Sequence, residues 1–195
     1  DAIRGQQDHE NPFKKVAVSV KHLVGGGASV GGCIHASAEL SERALRSYFL
    51  PPFKAAIEAG CMTIMPGHND IAGVPVHASK WLLPDILKQE YGFKGFFISD
   101  MGDVENLATS LHQIAENQKE AVCKSVNAGL DMHMYSADSA RFVRPLVELV
   151  REKKVSPRRI DDAVRRILKI KFELGLFEKR YVSPEEDSYG SKENN

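Results

Sequence analysis

This 195-residue chain has no excess of either positive or negative charge. Lysine and arginine together number 26, aspartate and glutamate also number 26, and the formal net charge is zero. A neutral chain is a poor partner for the phosphate backbone of a nucleic acid or for an anionic membrane surface. The sequence also has no apolar run long enough to cross a bilayer. We therefore expect neither a nucleic acid nor a membrane as the main partner.

Cysteine is scarce as well, and the three that are present, Cys33, Cys61 and Cys123, lie far apart in the sequence. Their spacing matches neither a zinc-binding motif nor a disulfide framework. We interpret all three as buried packing residues. The first residue is Asp1 and no signal peptide is recognisable. The compartment stays open, because a longer parent chain could carry such a signal.

Four short apolar segments recur along the chain, each after a stretch of helical pattern. Continuous apolar runs between helices are typical of parallel strands that are buried on both faces. The pattern predicts an α/β fold of four strand–helix units with right-handed crossovers. An eight-stranded barrel usually needs about 250 residues, so four units indicate either a small open sheet or half of a barrel. The four segments are VAVSVKH (16–22), MTIMPGHN (62–69), GFFISD (95–100) and GLDMHM (129–134).

The segments between the predicted strands have helical periodicity with clear start and stop signals. Pro51 and Pro52 should split the first helix, and Pro84 should open the second. Ser156 is a good N-cap for the last helix, which Gly175 should end. The predicted helices cover 40–59, 84–91, 117–128, 140–153 and the stretch between Ser156 and Gly175.

Ionisable side chains follow each of the four predicted strands. In parallel α/β folds the chemistry lies beyond the carboxyl ends of the strands. Four polar strand ends that meet at one edge therefore indicate a functional rim. The residues at these ends are Lys21-His22, His68-Asn69, Ser99-Asp100 and Asp131-Met132-His133.

Other polar residues have ordinary structural explanations. Asp131 is expected to bind loop amides, and Asp103 is expected to cap the helix that follows it. The run Gly25-Gly26-Gly27 lacks the Gly-Lys-Ser/Thr of a phosphate-binding loop, so we interpret it as a surface turn. Three histidines outside the strand ends are interpreted as structural: His9, His77 and His112.

Several motifs, in order and at family spacing, resemble those of glycoside hydrolase family 3, whose best known members are β-glucosidases. The resemblance extends from about Val16 to Tyr181. It implies a catalytic (β/α)8 TIM-type barrel, of which this chain would supply the second half, strands five to eight. Residues 1–15 would then be an incoming segment, 16–182 the C-terminal half of the barrel, and 183–195 a linker or disordered tail. The matching stretches are VKHLVGGG, ELSERALRSYFLPPFKAAIEAG, IMPGHNDIAGVPVHASKWLLPDILKQEYGFKGFFISDMGD, KEAVCKSVNAGLDM and IDDAVRRILKIKFELGLFEKRYV.

The resemblance implies a retaining, exo-acting β-glycoside hydrolase that works through a covalent glycosyl-aspartate. Asp100 aligns with the family's nucleophile in a Ser-Asp-Trp-like motif, with Met101 in place of the usual aromatic residue. Lys21 and His22 align with the pair that grips hydroxyls of the sugar. His68 stands where the family often has Tyr or Phe, and its imidazole is expected to hydrogen-bond the substrate. The second carboxyl group of a retaining site lies about 5–5.5 Å from the nucleophile, and the resemblance places it in a later domain.

The resemblance further implies that no cofactor or metal is needed. It implies that the substrates are β-linked gluco- or xylo-oligosaccharides or aryl glycosides. The remaining partners would be the missing barrel half and the C-terminal domain of the same parent chain, so the isolated chain is expected to be a poor catalyst. A periplasmic or secreted parent protein is favoured, and a cytoplasmic one stays open.

Three alternatives are weighed against this interpretation. The β-N-acetylhexosaminidase branch of the family uses an Asp–His pair in the loop after the Lys-His strand; here that loop has Cys33-Ile34-His35, so the branch is disfavoured. A metal-dependent barrel hydrolase could use His and Asp side chains at the strand ends. A non-catalytic, sugar-binding half-barrel is the third alternative. The candidate metal ligands are His22, His68, His133 and Asp100.

Overall fold

The computed structural model describes residues 2–8, 10, 15–134 and 138–181. Within these ranges the strands are β1 Ser19–Leu23, β2 Thr63–Pro66, β3 Asp70–Ile71, β4 Val74–Pro75 and β5 Phe96–Phe97. Strands β1, β2 and β5 form a parallel sheet in the order β1–β2–β5, and β3 and β4 form an antiparallel hairpin. The first three predicted strands are thereby confirmed, although each is shorter than its apolar run.

The fourth predicted strand, 129–134, is wrong. Met132 forms only an isolated parallel bridge with Ile98. The reason is that the N–H of Phe97 donates to Oδ2 of Asp131 (2.9 Å), a side-chain acceptor, instead of to a carbonyl of a neighbouring strand. A side chain therefore takes the place of one step of the backbone ladder.

The helical segments follow the predicted order. Gly60 and Gly129 end the helices before them with positive φ angles, as their positions in the sequence indicate. Between β1 and β2 the chain is helical over two pieces separated by a π-helical turn, and between β2 and β5 it forms the hairpin and a π-helix. The α-helices are α1 Ala2–Gln7, α2 Glu42–Ala44, α3 Pro51–Glu58, α4 Asp103–Asn106, α5 Gln118–Asn127, α6 Ala140–Arg151 and α7 Pro157–Glu173; the π-helices are Leu45–Phe49 and Trp81–Glu90, and the 3₁₀ turns are Gly26–Ala28, Val30–Gly32 and Val76–Ala78.

Three of the local signals can be compared directly with the structure. The prolines split the first predicted helix, and α3 begins at Pro51. Ser156 caps α7, since its hydroxyl accepts the N–H of Arg159 at 3.2 Å. The prediction that Pro84 opens a helix is wrong, because that helix begins at Trp81. Pro84 still lies in the first turn, where an amide N–H has no partner inside the helix to lose.

The predicted incoming segment contains α1, which Gln7 attaches to the start of the sheet. The side-chain amide of Gln7 donates to the carbonyl of Gly60 at 2.6 Å. Its oxygen accepts the N–H groups of Val18 and Met62 at 3.0 and 3.2 Å. One buried side chain therefore holds α1 against the residues that lead into β1 and β2.

The sheet packs into a single buried apolar cluster that includes Ile64 of β2 and Phe97 of β5. Phe93 packs on Phe97 with a ring-centroid distance of 5.1 Å. Gly95 lies directly before β5, and a Cβ at this position would overlap the carbonyl oxygen of Met62. Glycine is required here because the backbones entering β2 and β5 approach so closely.

The cysteine prediction is confirmed only in part. Cys61 is buried, and burial raises the pKa of its thiol to about 11. Cys123 is half-buried, and Cys33 is exposed in the loop between the 3₁₀ turn Val30–Gly32 and α2. Within the described ranges, every helix is too short or too polar to span a lipid bilayer.

Candidate active site

The carboxyl ends of the three parallel strands bring three of the predicted site residues together. His22 belongs to β1, His68 follows β2 and Asp100 follows β5. Oδ2 of Asp100 lies 3.0 Å from Nε2 of His22 and 3.3 Å from Nε2 of His68. The two imidazole rings are 5.6 Å apart at their centroids. The structure therefore places these three side chains together at the carboxyl edge of the sheet.

An irregularity in β1 explains how two adjacent residues can serve one site. Val20 pairs with Ile64 and Leu23 pairs with Pro66, so β1 uses three steps where β2 uses two. Such a bulge breaks the strict alternation of side chains along a strand. Lys21 and His22 occupy this bulge, and both are exposed at the rim.

A glycine allows the end of β2 to approach the end of β1. The N–H of Gly67 donates to the carbonyl oxygen of Leu23, and a Cβ on Gly67 would lie 3.0 Å from that oxygen. A larger residue would push the two strand ends apart. The close approach leaves an open cleft of about 340 Å³ between His22, His68 and the Gly26–Gly27 turn.

The surroundings of Asp100 favour its ionised form. Burial raises the pKa of this carboxyl group, but other influences outweigh burial. The N–H of Met101 donates to Oδ1 at 2.7 Å, and the charges of His68, His22 and Lys21 lower the pKa further. The net result is a pKa below the ordinary value for an aspartate. Asp100 is therefore a carboxylate at neutral pH.

The floor of the site is formed by Asp103 and His77, both almost fully buried. The N–H of Asp100 donates to Nε2 of His77 at 3.2 Å. Burial lowers the pKa of His77 to about 4, so the ring is neutral at pH 7 and Nε2 can accept. The remaining ring proton is then on Nδ1, which lies 3.6 Å from Oδ2 of Asp103.

Asp103 is not the helix cap that the sequence predicts. Gly102, with a φ of 79°, occupies the cap position of α4, and Asp103 is the first helical residue. Its side chain turns inward, and Oδ2 lies 2.9 Å from Nδ1 of His68. His68 therefore lies between two carboxylates, Asp100 on its Nε2 side and Asp103 on its Nδ1 side.

The sequence comparison decides the family of this chain. Residues 1–170 match the glycosyl hydrolase family 3 N-terminal domain. The chain belongs to glycosyl hydrolase family 3. A β-xylosidase of Formosa agariphila is 38% identical over 183 residues, which cover 91% of this chain and 25% of that protein. A periplasmic β-glucosidase of Salmonella typhimurium is 35% identical over 166 residues, which cover 85% of this chain and 21% of that protein.

Solved structures of family 3 enzymes have the same fold. A mutant β-glucosidase from Listeria innocua, crystallised with laminaribiose, superimposes with a TM-score of 0.89 at 32% identity. The match covers 98% of this chain and 27% of that one. The fold is the TIM-barrel-like α/β fold of the family's N-terminal domain. The chain spans about a quarter of the length of the relatives that it matches.

The fourth predicted strand end does not join the site. The side chain of Asp131 is buried and binds Lys88 and Arg159. It also accepts a backbone N–H, but this N–H belongs to Phe97 of strand β5 and not to the loop that the sequence predicts. His133 lies 3.2 Å from Glu105 through Nε2 and stacks on the ring of Phe142, and it is therefore not a fourth ligand beside Asp100.

The histidines interpreted as structural have different outcomes. His112 is part-buried, and its Nε2 lies 2.9 Å from the carbonyl oxygen of His68. His77 is buried as expected, but its partner is the backbone of Asp100, which sequence reasoning missed. The sequence offers no signal for this contact, because Val76–Ala78 is a 3₁₀ turn placed by tertiary packing. His9 and the predicted tail 183–195 lie outside the described residues.

Two groups of side chains in the described part of the chain have the donors and spacing for a metal ion. His22, His68 and Asp100 form one group, and His35, His68 and Asp103 form the other. The potential ligand atoms of each group lie within 4.8 Å of one another. The first group includes three of the four ligands weighed from the sequence. Sequence reasoning missed the second group, because it interpreted Asp103 as a helix cap and no local spacing links Asp103 to His35 and His68.

Proposed function

We propose that the full-length protein containing this chain is a retaining, exo-acting β-glycoside hydrolase with Asp100 as its nucleophile. The observation that supports this most directly is the ionised carboxylate of Asp100 at the carboxyl edge of the parallel sheet, with His22 and His68 against the same oxygen. Catalytic groups of TIM-type barrels lie at this edge. Family membership supports the reaction class, since relatives are named β-glucosidases and β-xylosidases.

In the proposed reaction, a carboxylate oxygen of Asp100 forms a bond to the anomeric carbon while the glycosidic C–O bond breaks. A general acid protonates the departing oxygen, and water then hydrolyses the glycosyl ester with inversion at the same carbon. Lys21 and His22 would donate hydrogen bonds to sugar hydroxyls, and these bonds strengthen as the oxocarbenium-like state forms. We assign no residue of this chain as the general acid, which we place in another part of the parent protein.

We propose β-linked gluco- or xylo-oligosaccharides, or aryl glycosides, as substrates. The relatives' names cover both β-glucosides and β-xylosides, and the Listeria innocua enzyme was crystallised with laminaribiose. The open cleft of about 340 Å³ is lined by His22, His68 and the Gly26–Gly27 turn. An open-ended cleft of this kind is compatible with a site completed by further protein.

We propose that residues 16–182 are the second half of a (β/α)8 barrel. Three parallel strands in sequence order, with helical crossovers, support this arrangement. Among the described residues the sheet ends at β1 on one side and at the Ile98–Met132 bridge on the other. Open sheet edges are a liability that barrel closure removes. The first barrel half, earlier in the parent chain, would pair with both edges.

Covalent trapping tests the proposed function. The full-length protein is incubated with a fluorosugar inactivator, which slows hydrolysis of the glycosyl-enzyme, and is then digested for mass spectrometry. We expect the label on the peptide that contains Asp100. A label on Asp103 or Asp131 would refute the assignment. An unlabelled enzyme that loses hydrolysis on treatment with a chelator would instead favour the metal-dependent alternative, which forms no glycosyl-aspartate.

Replacing Lys21 or His22, the two residues of the β1 bulge, by alanine tests the proposed sugar contacts. Lys21→Ala and His22→Ala should each lower kcat/KM by about 10²–10³-fold, the usual cost of one donor that acts on the transition state. The loss should be in kcat as well as in KM. Lys80→Ala, at another exposed position, serves as the control and should leave kcat/KM unchanged. A change in KM alone would show that the residues bind the ground state and the transition state equally.

The Lys21 variant also has a predicted pH signature. The charge of Lys21 lowers the pKa of Asp100, so its removal raises that pKa. The nucleophile must be ionised, so activity is lost as pH falls through the pKa of Asp100. The acid limb of the kcat/KM profile should therefore move to higher pH in Lys21→Ala. An acid limb at the wild-type position would contradict an electrostatic effect of Lys21 on Asp100.

His77 is predicted to be a positioning residue for the nucleophile. In His77→Phe the N–H of Asp100 loses its acceptor, and a misplacement of a reacting group can cost roughly 10²-fold in rate. We expect kcat to fall by that order with a small change in KM. His77→Gln should recover much of the loss, because its amide oxygen can accept the same N–H. Equal kinetics for the two variants would show that His77 contributes only packing.

A further inference from the structure

Three buried polar atoms without a well-formed hydrogen bond converge beside the candidate active site. They are Nδ1 of His35, Nδ1 of His68 and Oδ2 of Asp103. Nδ1 of His68 and Oδ2 of Asp103 are 2.9 Å apart, but they are misaligned for a hydrogen bond. The rings of His35 and His68 are 5.0 Å apart at their centroids and nearly perpendicular. Each of the three residues offers a ligand atom within 4.8 Å of the others.

Buried polar atoms nearly always have a partner, so three unsatisfied atoms at one place indicate a missing species. Residues of this chain already cover all three atoms. Another segment of the parent protein therefore cannot reach them with a side chain. Only a water molecule or an ion is small enough to fit between them. Two imidazoles and one carboxylate are metal-binding groups, and the carboxylate of Asp103 is 1% exposed, which favours a cation over water.

We propose that His35, His68 and Asp103 bind a divalent zinc-class metal ion. Two imidazole nitrogens and one carboxylate oxygen are a common zinc donor set, with water as the fourth ligand. Zinc bonds of about 2.0–2.2 Å to these atoms place tetrahedral ligands roughly 3.3–3.5 Å apart. Nδ1 of His68 and Oδ2 of Asp103, which are 2.9 Å apart, need to separate slightly. His35, whose ligand atom lies within 4.8 Å of the other two, needs to approach by on the order of 1 Å, which rotation of its half-buried ring can supply.

The groups around the proposed ligands fit this assignment. Ligation of His68 through Nδ1 leaves Nε2 as an N–H donor, and Nε2 faces Oδ2 of Asp100 at 3.3 Å. A metal-bound histidine usually donates its second N–H to a carboxylate in this way. The other oxygen of Asp103, Oδ1, accepts the amide of Asn106 at 3.0 Å. Both ligands therefore already have the outer hydrogen bonds that orient a metal site.

The ion would connect the loop after β1 to the rim of the sheet. His35 belongs to that loop, and Ile34, the residue before it, lines the cleft. His68 and Asp103 belong to the segments that follow β2 and β5. Metal binding would therefore fix the loop beside the cleft and hold His68 in position against Asp100. We assign the ion a positioning role, and no bond of the substrate is made or broken at it.

Metal binding to the full-length protein, measured without sugar, tests the proposal. The protein is stripped with a chelator and titrated with Zn²⁺ by calorimetry, and Co²⁺ is used as a spectroscopic probe. We expect a site whose Co²⁺ complex has the strong visible bands of tetrahedral coordination. His35→Gln and Asp103→Asn should weaken this site more than about 100-fold, since even outer partners of metal ligands are worth about 10–100-fold.

Cys33→Ser is the matched control, because this exposed thiol lies two residues from His35 and is a competing soft ligand. The control should bind Zn²⁺ as tightly as the wild type. No binding in the wild type, equal binding in His35→Gln, or loss of binding in Cys33→Ser would each overturn the proposal. Calorimetry and the Co²⁺ spectrum need no turnover, so these outcomes are independent of whether Asp100 is trapped by a fluorosugar.

Discussion

Replacing Asp100 by Asn in the full-length protein is expected to lower kcat on aryl β-glycosides by roughly 10⁴-fold or more. The amide is nearly the same size as the carboxylate and can still accept the N–H of Met101. It cannot form the glycosyl ester, because a neutral amide oxygen is a much weaker nucleophile. Steady-state kinetics with a chromogenic aryl glycoside measures the loss.

The Asp100→Asn result needs a control for fold and for loss of charge. Asp161→Asn makes the same chemical change at an exposed position on α7 and should leave kcat unchanged. Circular dichroism and thermal unfolding should show that both variants keep the native structure. If Asp100→Asn keeps kcat within about tenfold of the wild type, another group is the nucleophile and the proposed mechanism is wrong.

Replacing Asp131 by Ala is expected to destabilise the protein by about 3–5 kcal/mol, the usual cost of removing one partner of a buried ion pair. Both oxygens of Asp131 lie 3.0 Å from Nζ of Lys88, and Oδ1 also binds Arg159. The Asp131 side chain is fully buried, and the Lys88 side chain is 10% exposed. Without Asp131, the N–H of Phe97 loses its side-chain acceptor, and Lys88 and Arg159 lose the buried carboxylate that neutralises them.

Lys88 shows how strongly this cluster depends on its carboxylate. Burial lowers the pKa of Lys88, whereas the charge of Asp131 raises it and holds part of that change back. In Asp131→Ala, burial and the charge of Arg159 still lower the pKa of Lys88, and the opposing charge of Asp131 is gone. The ammonium group of Lys88 must then lose its proton or attract water, and either change costs stability.

Chemical denaturation of the full-length protein measures the effect of the Asp131 variants. Asp131→Asn keeps an acceptor for Phe97 and should lose less stability than Asp131→Ala, which keeps the prediction testable if the alanine variant does not fold. Asp162→Asn is the matched control, because Asp162 binds Arg166 and Arg159 from a side chain that is 40% exposed. A partly exposed ion pair contributes about 0–1 kcal/mol to the free energy of unfolding. Equal losses at Asp131 and Asp162 would contradict a buried ion cluster.

Local sequence signals predicted much of this fold. The apolar runs located β1, β2 and β5, because a strand buried on both faces needs a continuous apolar stretch. Ser156 and Pro157 predicted the start of α7, because a cap satisfies orphan amides next to it in sequence. Asp100 was predictable for a related reason, since a polar residue directly after a buried run must lie at the carboxyl edge.

Non-local packing overruled the local pattern elsewhere. The run GLDMHM has the composition of a strand, but Asp131 takes the N–H of Phe97 and forms its ion cluster with Lys88 and Arg159. Only one bridge, Ile98–Met132, is left of the expected pairing. The partners of Asp131 are 28 to 43 residues away in the chain, so no window of sequence around it contains them.

The sequence by itself determined the family, the order of the strands and the rim on which His22, His68 and Asp100 meet, because each depends on short apolar runs and the polar residues that end them. Tertiary structure alone decided the floor of the site. Asp103 has the sequence pattern of a helix cap, and His77 that of an ordinary buried histidine. Their roles arise from the position of α4 and of the 3₁₀ turn Val76–Ala78 beneath Asp100. That position is set by packing between segments distant in sequence, which local propensity does not encode.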